Sequence, residues 1–160
     1  MSGVVESVSL EQALAVANTV VVASPAKPPE RVVMISITPG GGPPSEKYPA
    51  FRRVIDRYRI EEVLRGDAGA GSEIEVDQNS GGVTLDAHRL YHVEKVNKIL
   101  QHLEYETSLT EADLRSDARR ILLLYKTGDG WRYACGMSVE PLRLRPKIEK
   151  LLASRNPPAA

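Results

Sequence analysis

The segment Tyr58 to Val76, YRIEEVLRGDAGAGSEIEV, constrains the fold more than any other part of this chain. It reads as an alternating strand, a charged glycine-rich turn over Arg65–Ser72, and a second alternating strand. The alternation extends back to Phe51. Val54, Tyr58, Ile60 and Leu64 fall on one face, and Arg53, Ile55, Arg57, Arg59, Glu61 and Val63 on the other. On the returning strand Ile74 and Val76 point inward, while Glu73, Glu75 and Asp77 share the opposite face. Nothing here resembles a catalytic motif. The segment specifies a small β-barrel rather than a chemistry.

The flanking sequence supplies the other elements. Ser9-Leu-Glu-Gln12 forms a capping box, and Leu10, Ala13, Leu14 and Ala17 then share one face of a short helix. Thr19–Ala23, TVVVA, is a β-branched run expected as a central strand. SPAKPPE over 24–30 is expected to break it before a second strand, Arg31–Thr38. Prolines and glycines over 39–49 predict a mobile loop, and Asn79–Gly82 closes the later strand. Between Thr84 and Thr107 the period changes. Leu85, Val93, Val96, Ile99, Leu100 and Leu103 fall within an arc of about 120° at helical spacing, which predicts an amphipathic helix. Ser108-Leu-Thr-Glu111 reads as a second capping box, opening a helix to about Ala118. Arg119–Lys126 is the most apolar strand, Thr127–Gly130 a hairpin turn, and Trp131–Met137 its partner strand. Pro146 opens a C-terminal helix, Lys147–Ala153. The expected fold is mainly β with helices: an OB-fold-like β-barrel, with a helical insertion at 84–118 before the last hairpin and a C-terminal helix. One domain is expected over 1–155, with a disordered tail at 156–160.

The order LAVANTVVVASP, then YRIEEVLRGDAGAGSEIEV, then RRILLLYKTGDG leading into WRYACG, resembles the bacterial branch of the netrin/TIMP-like OB-fold domains. The likeness covers roughly Ser9 to Ser138. Animal inhibitors of that family chelate a protease zinc through an N-terminal, bridged cysteine. This chain has Met1-Ser2-Gly3 and a single cysteine, Cys135, so metalloprotease inhibition does not carry over. The resemblance implies a binding or accessory module, outside the cytoplasm. The opening MSGVVESVSL has no basic region followed by an apolar core, so the chain reads as cytoplasmic as written, or as periplasmic or secreted if a leader has been removed.

Bulk properties narrow the function. Lys plus Arg number 21 and Asp plus Glu 21, giving a formal net charge of zero. Neutrality and an aromatic content of 5% argue against a nucleic-acid surface built on phosphate contacts and base stacking. No apolar run approaches the ~20 residues that span a bilayer. With one cysteine there is no internal disulfide, and Cys135 is expected as a small buried hydrophobe on a strand.

Candidate chemistry is sparse. His88 and His92 stand four apart on the predicted helix, the spacing of two metal ligands on one face, yet no HExxH motif accompanies them. Asp86 or Glu94 would have to supply a third ligand, because His102 lies ~15 Å further along a helix axis. No GxSxG is present, and Pro39-Gly-Gly-Gly42 lacks the Lys-Ser/Thr of a phosphate loop. No cofactor, no small-molecule substrate and no enzymatic activity is expected. The best surface is the arginine face of Arg53, Arg57 and Arg59, flanked by Arg52, which could meet an acidic protein partner or nucleic acid. The competing reading pairs those arginines with Glu73, Glu75 and Asp77 across the strands. Trp131 and Tyr133 share a strand face, where aromatics either cover a barrel end or anchor an interface. The expectation is a non-catalytic protein-interaction module. Single-strand nucleic-acid binding and a metal-binding role at His88 and His92 are the alternatives.

Overall fold

In the computed structural model the described residues are 3–78, 83–95, 100–128 and 130–154; for 3–6, 83–87 and 100–104 the description is of the backbone. The chain is mainly β. Strand β1 (Gly3–Val8) leads into helix α1 (Leu10–Val16), then β2 (Thr19–Ile35), β3 (Phe51–Arg65) and β4 (Glu73–Asp77). Helix α2 (Val83–His92), β5 (Leu100–Tyr105) and α3 (Glu111–Arg115) follow. The chain ends with β6 (Arg120–Thr127), β7 (Gly130–Tyr133), β8 (Val139–Pro141) and α4 (Arg145–Ala153), the last entered through a 3-10 turn at Leu142–Leu144.

Six strands form one mixed sheet in the order β2-β3-β4-β7-β6-β8, and an added β2–β6 pairing draws five of them into a near-closed ring. All ladders of the ring are antiparallel except β4 with β7, which is parallel. Alternation along the strands sorts two apolar layers. Val21, Ala23, Tyr58, Ile60, Ile74, Val76, Leu122 and Leu124 fill the ring. Val20, Val22, Ile121 and Leu123 point out, under Ala13 and Leu14 of α1 and Ile148 of α4. Thr19–Ala23 of β2 and the facing Arg120–Leu124 of β6 are thus buried on both faces, which explains the apolar runs there.

Helix α1 starts as the sequence predicts. The Ser9 hydroxyl accepts from the Gln12 amide, and the Gln12 side chain accepts from the Ser9 amide. Asn18 then bonds the main chain of Lys126 through both its amide atoms, fixing α1 to β6.

Several expectations are corrected. The stretch 24–30 does not end the strand; β2 continues to Ile35. Pro25 faces Tyr58 and Glu30 faces Asp56, so the residues between are absorbed in a bulge opposite Arg57. A further shift between the Ile60 and Glu62 pairings exchanges the faces of β3: Val63 packs into the ring, and Leu64 packs outward with the α1/α4 layer. The long amphipathic helix is also corrected. Helix α2 stops at His92, and Leu100–Tyr105 forms a strand paired in parallel with β1. A ladder partner ninety-seven positions upstream (Gly3 faces Leu100) outweighs local helical spacing. The insertion at 84–118 is therefore mixed rather than helical. Val96, Ile99, Asn79–Gly82, Asp129 and 156–160 lie outside the described residues. The second capping box sits two residues later than expected, on Thr110 and Asp113. Strand β7 ends at Tyr133, so Cys135 occupies a bend, where it is buried.

The loop between β2 and β3 is braced by its own hydroxyls. Ser36 donates to the Gly42 carbonyl at 2.7 Å and Thr38 to the Pro43 carbonyl at 2.8 Å.

Candidate functional site

Three places could carry function: the interior of the ring, its charged outer wall, and the arm formed by β2 and β3 beyond it.

Inside the ring lies a polar chain that alternation alone does not announce. Asp56 shares the inward face of β3 with Tyr58 and is buried, as is Tyr133 on β7. The Tyr133 hydroxyl donates to Asp56 Oδ2, and Gln78 Nε2 donates to Oδ1 at 2.8 Å. The two tyrosine hydroxyls lie 2.7 Å apart. Since the Tyr133 proton goes to Asp56, Tyr58 is the donor to Tyr133. Burial raises the Asp56 carboxyl above its usual range, against the opposing hydrogen bonds of Tyr133 and Gln78. Burial, then the charge of Asp56, pushes the Tyr58 hydroxyl up to about 12, and Tyr133 rises well above its ordinary value for the same first reason. Perturbed groups of this kind are candidates for acid–base chemistry. Here each is nearly sealed from water. The chain ties β3 to β7 and does not present a proton at the surface. Arg120, also buried, donates to the carbonyls of Asp113, Leu114, Ser116 and Ala118 and so closes the end of α3.

The outer wall carries the arginine face. Arg53 pairs with Asp77 at 2.8 Å, and Arg57 with Glu73 at 3.3 Å while also donating to the Pro28 carbonyl at 2.8 Å. Arg31, which the sequence did not single out, makes a two-pronged bond to Glu75 at 2.6 and 3.1 Å. The Glu75 carboxyl is held below its usual range chiefly by that bond. The neighbouring carboxylates therefore occupy Arg53 and Arg57. Arg59 and Arg52 are exposed. Trp131 is half-buried against the ring core, with the Lys126 ammonium 5.1 Å from its ring centroid. Tyr133 is inside, not at the surface.

The histidines do come together. The His88 and His92 rings lie 4.5 Å apart, His88 Nε2 is 2.8 Å from the Pro49 carbonyl, and Phe51 packs on His88. Partial burial, then His88 and Lys95, hold His92 below its ordinary value. Among the described residues no group of three or more His, Cys, Asp or Glu side chains converges. The pair instead seats α2 against the base of the β2–β3 loop. Glu94 is described without a place in such a group; Asp86 and His102 have undescribed side chains.

The third place is the arm. Strand β6 pairs with β2 only over Thr19–Ala23, and β4 pairs with β3 only over Ile55–Arg59, extended by a Gln78-to-Val54 backbone bond. Beyond these limits β2 and β3 continue as a two-stranded ribbon, Glu30–Ile35 against Phe51–Asp56. Among the described residues no strand pairs with the other edge of Glu30–Ile35. Val32 is 42% exposed and Met34 59% exposed, on one face of that strand. The sequence showed this strand, but only the ladder shows that it outruns its neighbours.

Comparison with protein-family models, curated proteins and solved structures finds no match to this chain.

Proposed function

We propose that this chain is a non-catalytic protein-interaction module on an OB-like barrel, and that the β2–β3 arm is its docking element. The fold part of the reading is supported by a five-strand ring with an inserted segment between its third and fourth strands, as in a partly open Greek-key barrel. In that architecture the loop between the first two strands belongs to the ligand surface. Here that loop is the tip of the arm.

The observation that carries the functional part is the edge of Glu30–Ile35, with which no strand among the described residues pairs, beside exposed Val32 and Met34. A strand edge offers unpaired N–H and C=O groups to an incoming strand, and exposed alternate side chains add selectivity. Internal pairing of Arg53 and Arg57 moves the interface away from the arginine face.

The test is selection of displayed extended peptides on the folded protein, followed by amide mapping by NMR. The expected result is binding that shifts the Arg31–Ile35 amides and is lost in Met34→Lys. Peptides that bind elsewhere, or a library that yields none, overturn the reading.

A further inference from the structure

The arm's edge is self-complementary, and we propose that it pairs antiparallel with the same edge of a second copy of this chain. The inference rests on the reading of the arm as a docking element and adds the occupant.

The exposed edge reads Glu30-Arg31-Val32-Val33-Met34-Ile35. From Val32 to Ile35 it has no charge, proline or glycine, the devices that normally blunt an open strand. Residues directly opposite in an antiparallel pair share a face. With the two-fold axis at Val33, Val32 of each copy faces Met34 of the other. The four most exposed apolar side chains of the two arms then form one stripe. Arg31 faces Ile35, and Glu30 faces Ser36, so no like charges meet. Moving the axis to Arg31 would set two arginines against each other, and moving it to Glu30 would oppose two glutamates. Charge excludes those two registers, and the apolar pattern selects the Val33 axis among the rest. The formal net charge of zero leaves no long-range repulsion between copies.

Seven facing residues a side, Glu30–Ser36, make a small interface, in the weak and transient class. Association is therefore measured by sedimentation velocity of the full chain from roughly 10 µM to about 1 mM. The expected result is a concentration-dependent monomer–dimer equilibrium. Met34→Lys should weaken it at least about tenfold, because it places a charge in the shared stripe. Met34 is exposed, so this variant keeps the fold, which its unchanged thermal transition will show.

A second variant reads the register. Directly opposed residues lie ~4.5–5.5 Å apart at Cα, within disulfide range. Val33→Cys should therefore form a covalent dimer on oxidation, and Glu46→Cys in the loop should not. A protein that stays monomeric throughout, or a dimer indifferent to Met34→Lys, overturns the inference. Equal cross-linking at both cysteines does so too. A monomer whose arm still captures selected peptides would remove the second copy and leave the docking reading standing.

Discussion

Tyr133 donates its hydroxyl to the carboxylate of Asp56 across the interior of the ring, and this bond joins β7 to β3. The acid it serves is buried, and burial raises its folded pKa above the ordinary value. Folding therefore binds a proton at Asp56 more tightly than the unfolded chain does. Its contribution is fully present below the ordinary carboxylate pKa and is lost as pH rises through the raised folded value. Between the ordinary carboxylate pKa and the raised folded value, wild-type stability should include a component that falls with rising pH. Asp56→Asn removes the titrating group, and rotation of the Gln78 amide restores its partner. Urea melts across the window should show the wild-type component vanish in Asp56→Asn. An unchanged slope would remove Asp56 as its source.

Tyr133→Phe tests the same bond from the other side. It leaves a buried carboxylate oxygen and the Tyr58 hydroxyl without their partner, at a cost of about 1–3 kcal/mol. Because the Tyr133 hydrogen bond opposes the effect of burial, the Asp56 carboxyl should rise further. Tyr58→Phe removes only the outer donor and should cost less, about 1 kcal/mol. Denaturant midpoints and carboxyl titration by NMR check both. Equal losses for the two variants would contradict the order of the chain.

The ring was largely legible because its strands alternate or run apolar without interruption, and those patterns come from burial on one face or two. Val21, Val76 and Leu122 lie where alternation puts them. What escaped are features set by partners far along the chain. Leu100–Tyr105 becomes a strand because Gly3–Val8 lies beside it, and no local period reports that. The shift near Glu61 turns Val63 inward although its spacing from Ile60 says otherwise. Asp56 falls on the inward face of β3 by spacing, but only the hydroxyl of Tyr133 and the amide of Gln78 explain a carboxylate there. The arm was hidden for a similar reason: its openness depends on where β6 stops, not on its own residues.

Gly66 follows β3 with φ +94°, a backbone conformation that side chains strain. A Cβ there would also lie 3.0 Å from the Asn18 carbonyl and 3.0 Å from the Thr19 hydroxyl. Both terms act against Gly66→Ala, which should lose about 1–3 kcal/mol. Gly71, also at positive φ but with open space around its Cβ position, should lose only the strain part. Thermal denaturation of the two alanine variants distinguishes them. Equal stability would show that the β3 turn yields freely at Gly66.

Arg120 holds four backbone carbonyls at the end of α3 while sitting on the edge of the ring. Arg120→Met preserves much of the side-chain volume and removes every one of those bonds. The carbonyls are only partly buried, and that of Asp113 keeps its bonds from Ser116, so losing this charged donor should cost about 1.5–3 kcal/mol. Hydrogen exchange should report the loss locally, with protection falling first at Leu114 and Ser116. A uniform change across β6 and α3 would instead indicate that Arg120 supports the ring as a whole.

Arg57 and Arg59 stand two apart on β3 and look equivalent in sequence, yet their surroundings differ. Arg57 is held by Glu73 and by the Pro28 carbonyl inside the β2 bulge. Arg59 is exposed. Partly exposed ion pairs contribute little, so most of the effect of Arg57→Ala should come from the Pro28 bond, for a total of about 1 kcal/mol. Arg59→Ala should change stability by less than about 0.5 kcal/mol. High salt separates the two parts at Arg57, because it screens the Glu73 pair and leaves the carbonyl bond. Denaturant melts at low and high salt should therefore show a persistent difference between Arg57→Ala and the wild type. If that difference disappears in salt, the ion pair alone held Arg57, and the bulge does not depend on it.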